Sequence, residues 1–243
     1  MATLNTQILA TAISLASFCL LMSSSGCNLA ARNHNCAGVN YFQTGQVSQS
    51  IAEFQRALAR DPQNADAYYN LGSCYYALAK QSNNAQWTQQ AEQLFRQSIA
   101  IDDRHVAAHR ALAAMLVETN RQRYAFDLLN TWQRRHPEMT DPLVEIARLH
   151  EEFGDINKAS EFLADALKVD GSDARTLKAM GRVREQQGQL ALALENYHRS
   201  YQRDNRQLDV AGKINELQAR LAGMPNNPNL GWQNSNGAPP VRF

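Results

Sequence analysis

The chain has 243 residues, a formal net charge of +1 and hydrophobic residues at 44% of its positions. This length suits one medium-sized domain with terminal segments, and the near-neutral charge gives no general argument for nucleic acid as a partner. The four cysteines form no Cys-x-x-Cys pair, so the usual zinc-ribbon and thioredoxin-type signals are missing from the sequence.

The N-terminal segment has the composition of an export signal. Residues 1–31 contain no charged side chain, and Ile8–Met22 is largely apolar. These fifteen residues are short for a membrane span, which needs about 20, but they suit the core of a signal peptide. Small residues at positions 24–26 then precede Cys27, an arrangement that resembles the cleavage site of a bacterial lipoprotein.

The lipoprotein resemblance implies a signal peptide over residues 1–26, a lipid on Cys27 and a short linker over residues 27–30. Two features depart from the pattern, because Ser24 stands where leucine is usual and no Lys or Arg precedes the apolar core. Cleaved secretion without lipid, an uncleaved anchor and an apolar tail on a cytoplasmic protein therefore stay open. All three exported interpretations place the repeats outside the cytoplasm, and the lipoprotein interpretation places the protein in the cell envelope, anchored to a membrane on its periplasmic or outer-membrane side.

From residue 31 the sequence repeats with a period of 34 residues, most clearly between Thr140 and Asn205. Large apolar, small and turn residues recur there at equal offsets. The first of these two units carries Leu143, Ile146, Ala147, Gly154, Ala159, Leu163, Ala166 and Gly171, and the second carries Leu177, Met180, Gly181, Gly188, Ala193, Tyr197, Ser200 and Asn205. A fixed period of about 20–50 residues is typical of stacked-repeat folds.

This pattern resembles the tetratricopeptide repeat, in which a bulky residue, Leu-Gly, Tyr, Gly, Ala, Phe, Ala and Pro follow one another. Leu71-Gly72 and Tyr75 match it in the second unit, and Pro62 and Pro137 close the first and third. The resemblance implies an all-α fold: a right-handed superhelix, or α-solenoid, of about five helix-turn-helix repeats with a C-terminal capping helix. The repeats are expected at residues 31–64, 65–105, 106–139, 140–173 and 174–205.

Helix geometry favours the same division. Each unit has two apolar stripes at helical spacing, separated by Gly or Asn. Gly154, Gly188 and Asn120 follow the first helix of their units, where a left-handed backbone conformation suits Gly and is tolerated by Asn. Small residues in the first helices are expected to let the second helices approach closely: Gly38, Gly72, Ala113, Ala147 and Gly181. One hairpin cannot bury both stripes alone, so neighbouring hairpins must stack.

Two positions depart from the repeat. The second unit holds seven extra residues within 80–88, which predicts a longer loop or an extended first helix. We expect Trp87 in this segment to cover the core from the start of the second helix, and a binding role is the alternative. Trp132 occupies a place that usually holds a small residue, and it is expected to bulge outward or displace a neighbour, because overpacking costs about 1–3 kcal/mol.

Signals for chemistry are sparse, so we expect no catalytic, cofactor-binding or metal-binding residues and no enzyme. His105 and His109 have the spacing of one helix face, but no Glu stands beside His105 in a metalloprotease pattern, and both are interpreted as packed. Cys36 and Cys74 fall in the first helices of adjacent repeats. They are interpreted as two packed thiols, and a disulfide in an oxidising compartment is the alternative.

The resemblance implies a binding groove on the concave side, which the first helices line and where proteins or peptides bind. The family's groove offsets select Asn35, Val39, Phe42, Tyr69, Asn70, Ser73, Tyr76, Arg110, Ala114, Val117, Glu145, Arg148, Glu152, Arg175, Lys178, Arg182 and Gln186. The first half of this set is mostly aromatic and neutral, and the second half is charged. Ion pairs of Glu145 with Lys178 or Arg182 are the alternative to a ligand-binding role for the charges.

Beyond the repeats, an apolar stripe at helical spacing predicts a capping helix over residues 206–222. Residues 223–243 are rich in Pro, Asn and Gly and are predicted to be a disordered tail. A docking peptide that includes Trp232 is the alternative.

These features predict a protein-binding scaffold, adaptor or assembly factor, held at a membrane by an N-terminal lipid, without nucleic acid or a small-molecule substrate. Bacterial pilus pilotins and other envelope assembly lipoproteins have this layout. A cytosolic or uncleaved membrane-anchored adaptor, and a repeat protein that presents substrate to a separate enzyme, are the alternatives.

Overall fold

The computed structural model describes residues 29–223, in which all regular secondary structure is helical. The predicted signal peptide, Cys27 and residues 224–243 of the predicted tail lie outside the described residues. The helices are α1 (29–43), α2 (Val47–Arg60), α3 (Ala65–Ser82), α4 (Ala85–Ile101), α5 (Val106–Glu118), α6 (Gln122–Arg135), α7 (Asp141–Glu152), α8 (Ile156–Val169), α9 (Ala174–Gln186), α10 (Leu190–Arg203) and α11 (Leu208–Ala222).

The described chain forms two compact units that meet in sequence within α6. Unit 1 ends at Ala125 and unit 2 begins at Phe126. In unit 1, α3 packs against α2, α4 and α5, and in unit 2 each helix from α7 to α11 packs against the next. The all-α repeat fold expected from the sequence is therefore confirmed, with odd-numbered helices from α1 to α9 as first helices and even-numbered ones as second helices.

The turns inside the hairpins have the predicted backbone conformations. Gly154 and Gly188 have φ angles of +78° and +74°, and Asn120 has φ +58°. After each of the two glycines, an acidic or amide residue precedes the next helix, and Asp155 accepts a hydrogen bond from the backbone N–H of Lys158. At Gly154 and Asp155 the sequence therefore determines both the end of one helix and the start of the next, whereas Gln189 after Gly188 makes no side-chain capping bond.

Glycines in the first helices lie directly against aromatic rings of the second helices. A Cβ atom added at Gly181 would lie 2.8 Å from Cε1 of Tyr197, and one at Gly38 would lie 2.5 Å from the Phe54 ring. These separations are far below ordinary van der Waals contact, so a side chain at either position requires the ring to move. The expected close approach of the helices is confirmed at these glycines.

The seven extra residues of the second repeat lengthen its helices. Helix α3 has 18 residues and α4 has 17, compared with 13 in α9 and 14 in α10. The turn between them is short because Asn83 adopts the left-handed conformation and Asn84 caps α4. Trp87 lies half-buried in the first turn of α4, as expected for a residue that begins the second helix.

Residues 29–30, assigned to a linker, are already helical, so that assignment is wrong. Of the two outcomes expected for Trp132, the outward bulge is excluded, because its side chain is only 2% exposed. Its burial removes a large apolar surface from water, which favours the inward position over an exposed indole.

Candidate functional site

Unit 1 presents aromatic and amide side chains along its first helices, α1, α3 and α5. Asn70 on α3 donates a 3.0 Å hydrogen bond from Nδ2 to Oδ1 of Asn35 on α1. Val39 is half-buried and packs against the Phe54 cluster, whereas Phe42 is 37% exposed. Two of the selected residues, one on α1 and one on α3, are therefore in direct contact. We call the exposed side of α1, α3 and α5 the unit 1 face.

Two tyrosines of α3 form the aromatic part of the unit 1 face. The Tyr69 ring lies 5.3 Å from the His105 ring, and the Tyr76 ring meets Phe95 edge-on at 6.4 Å. The Tyr76 hydroxyl donates a 2.5 Å hydrogen bond to Glu118 on α5. Burial, together with this carboxylate, raises the pKa of Tyr76 far above its ordinary value, so the hydroxyl stays protonated. Both rings are thus held in place before any partner arrives.

Lys80 and Glu118 extend this cluster, and the groove offsets did not select either. The Lys80 ammonium lies 3.0 Å from the Glu118 carboxylate and 5.5 Å from the centre of the Tyr76 ring. Lys80 lies in the lengthened part of α3, and Glu118 lies one period before Glu152, a position that the groove offsets did select in the fourth repeat. The remaining predicted residues of α5 vary in exposure, since Arg110 is exposed and Val117 is half-buried.

The histidines and cysteines of unit 1 have local structural roles. His105 caps α5, because its Nδ1 accepts a hydrogen bond from the N–H of Ala108 while Nε2 lies 3.1 Å from a carboxylate oxygen of Asp66. Cys74 is a buried free thiol whose pKa is raised by burial, as expected for packing, but Cys36 is an exposed free thiol rather than a packed one. Within residues 29–223, no three His, Cys, Asp or Glu side chains are grouped to hold a metal ion.

In unit 2 the predicted acidic groove residue Glu145 is buried. Its side chain is 1% exposed, and its carboxylate accepts a 2.9 Å hydrogen bond from Arg148 and another from Arg175 on α9. Arg175 also binds Asp141 at the start of α7. Glu145 therefore joins α7 to α9 and does not line an open groove, because the neighbouring cations draw its carboxylate between the helices.

Two more of the predicted cations of unit 2, both on α9, contact carboxylates of other helices. Arg182 donates two hydrogen bonds of 2.7 and 2.6 Å to Glu151 on α7, and Lys178 lies 2.5 Å from Asp209 on α11. The sequence alternative of ion pairs between helices is correct in kind, although the partner of Glu145 is Arg175 rather than Lys178 or Arg182.

An open cavity of about 530 Å³ lies among α9, α10 and α11; we call it the α11 pocket. Its lining residues are Lys178, Arg182, Glu185, Gln186, Tyr197, Asp209, Val210, Lys213 and Arg220. The lining residues from α11 were not among the predicted groove residues, because that helix was interpreted only as a capping helix. A signal was available, since one period of 34 residues beyond Gln186 is Arg220. A second cavity of about 640 Å³, beside α4, is not lined by any predicted groove residue.

Comparisons with known proteins agree with this architecture. Residues 38–78 match the family model described as TPR repeat, the tetratricopeptide repeat. The thermophilic TPR protein TTC0263 of Thermus thermophilus is 20% identical with a TM-score of 0.59, over 78% of this chain and 100% of that one. PilF of Pseudomonas aeruginosa is 16% identical with a TM-score of 0.53, over 81% and 92% of the two chains.

Yeast Tom70 is 16% identical with a TM-score of 0.63, over 72% of this chain and 36% of that one. No curated protein sequence matches the chain. The repeat match and these structures identify the described residues as a tetratricopeptide-repeat fold. None of the helices in residues 29–223 combines the length and the apolar character needed to cross a membrane.

Proposed function

We propose that the protein is a scaffold or adaptor that binds segments of other proteins along the first helices of its two units. The observation that carries this proposal is the unit 1 face, where α3 carries two pre-positioned tyrosines, Tyr69 and Tyr76, and the Asn70 amide that bonds to Asn35 on α1. Tyrosine is among the residue types that contribute most to binding when it is buried at an interface.

The chemistry of the unit 1 face suits an extended polypeptide segment. Each amide has two N–H donors and a carbonyl with two lone pairs, and the mutual bond of Asn35 and Asn70 uses only one donor and one acceptor. The remaining groups can pair with the N–H and C=O of a peptide backbone. The tyrosine rings are already fixed by Phe95, His105 and Glu118, so little conformational entropy is lost when a partner covers them.

Site-specific photo-cross-linking tests this proposal and identifies the partner. A photoreactive phenylalanine analogue is placed at Phe42 on α1 or at Gln186 on α9, and in controls at Arg56 on α2 or Lys168 on α8. We expect the same partner protein to be captured from the first-helix positions and not from the exposed second-helix positions. Capture that is equal at all four positions, or confined to α2 and α8, would place binding elsewhere.

We further propose that the protein is anchored in the cell envelope by a lipid on Cys27. The uncharged apolar segment that ends in Ser-Gly-Cys supports this location. When expressed in a bacterial host, the Cys27→Ser variant should lose the lipid and move from the membrane fraction to the soluble fraction. The Cys36→Ser variant is the matched control and should stay with membranes. A Cys27→Ser protein that still sediments with membranes would contradict the lipid anchor.

A further inference from the structure

The α11 pocket contains more cationic groups than its own carboxylates can bind closely. Four cations line it, Lys178, Arg182, Lys213 and Arg220, together with two carboxylates. Lys178 and Arg182 have close partners at 2.5–2.7 Å, in Asp209 and in Glu151 outside the lining. The cations supplied by α11 are bound less closely.

Glu185 is the carboxylate that the α11 cations share. It accepts hydrogen bonds from the Tyr197 hydroxyl at 3.2 Å, from Lys213 at 3.2 Å and from Arg220 at 3.4 Å. Hydrogen bonds between a cation and a carboxylate are usually about 2.7–2.9 Å long. Neither α11 cation reaches that distance at Glu185, and Glu216 on the rim lies 3.1 Å from Lys213 and 3.5 Å from Arg220. The two cations thus retain capacity for a closer anionic group.

We propose that the α11 pocket binds carboxylate side chains of an acidic segment in a partner protein, with Lys213 and Arg220 as the main ligands. This inference rests on the proposed function, and it names the chemistry of the partner segment at unit 2. The side chains of Lys213 and Arg220 are 42% and 45% exposed, so both can turn toward an incoming carboxylate. A pocket of this volume accommodates one or two acidic side chains.

Glu185 competes with an incoming carboxylate for Lys213 and Arg220. Removing the charge of Glu185 should therefore strengthen binding of an acidic peptide, whereas removing the two cations should weaken it. Replacing Glu185 with Gln removes a negative charge from the pocket while keeping one of the two acceptor oxygens that Tyr197 and Lys213 use. The pocket then attracts anions more strongly. A purely structural cluster would instead lose stability on this change and would have no affinity for acidic peptides.

Calorimetry of the full-length protein with an acetylated, amidated hexaglutamate peptide at low salt tests the inference, with hexaglutamine as the neutral probe. We expect hexaglutamate to bind and hexaglutamine not to bind. The Lys213→Ala/Arg220→Ala variant should bind hexaglutamate at least tenfold more weakly, and Glu185→Gln severalfold more tightly. The Lys168→Ala/Arg199→Ala variant, which removes two exposed cations from second helices, should bind as the parent does. Circular dichroism checks that each variant is folded.

Absent hexaglutamate binding, or equal binding by the parent and the Lys213→Ala/Arg220→Ala variant, would overturn the assignment of this pocket. Failure of the α11 pocket assignment can be distinguished from failure of the proposed function. Cross-links from Phe42 on the unit 1 face would still identify a partner if the α11 pocket were inert. Conversely, hexaglutamate would still bind the pocket if no partner cross-linked to the first helices.

Discussion

Substituting Gly181 with leucine is expected to lower the free energy of unfolding by about 1–3 kcal/mol, because a side chain here must displace the Tyr197 ring. The Tyr197 ring is buried, and its hydroxyl bonds to Glu185, so the ring has little freedom to retreat. An added Cβ alone would already lie within 2.8 Å of it. Urea unfolding followed by circular dichroism measures the change.

Gly212 provides a matched control for Gly181. It lies inside α11, and a Cβ added there would meet no atom within 4 Å. Glycine is a poor helix former, so Gly212→Ala should raise the free energy of unfolding by about 0.5–1 kcal/mol. Gly181→Ala makes the same chemical change but should lower it. A gain in stability at both glycines would contradict the close approach of α9 and α10.

The features that the sequence predicted well depend on short-range geometry. The left-handed turn residues Gly154, Gly188 and Asn120 sit at fixed distances from the ends of helices, and only a few residue types suit that conformation. Gly38 and Gly181 recur in the same place because a second-helix ring lies over each of them. Such constraints repeat with the period, so they can be read from one chain.

The features that the sequence missed depend on side chains brought together from separate helices. The groove offsets place Glu145 on an inner face, but its exposure is decided by Arg148 and Arg175, which enclose its carboxylate. The α11 pocket needs Glu185 and Lys213 to meet across two helices whose packing the period alone does not describe. For the same reason Trp132, at a place usual for a small residue, could not be assigned to the interior in advance.

With a partner identified, Tyr76→Ala and Arg182→Glu are each expected to weaken its binding more than tenfold, or about 1.4 kcal/mol. Tyr76 loses its aromatic surface on the unit 1 face, and Arg182 loses a cation that lines the α11 pocket. Salt should weaken the contribution of Arg182 more than that of Tyr76, because ions screen charge and leave apolar contact largely intact. Tyr124→Ala and Arg199→Glu are matched controls on second helices and should leave affinity unchanged.

Folding has to be separated from binding in both variants. Tyr76 packs against Phe95 and holds Glu118, and Arg182→Glu places a second carboxylate beside Glu151. The Tyr76→Phe variant keeps the ring and removes only the hydroxyl bond, so it should bind more tightly than Tyr76→Ala. Circular dichroism should show intact helix in every variant before affinities are compared.

The most direct measurement of first-helix binding is partner affinity by calorimetry for the parent, Tyr76→Ala and Tyr124→Ala, each confirmed as folded. Our account predicts a loss of more than tenfold for Tyr76→Ala and none for Tyr124→Ala. Unchanged affinity in a well-folded Tyr76→Ala protein, or an equal loss in Tyr124→Ala, would contradict the assignment of the unit 1 face as the binding surface.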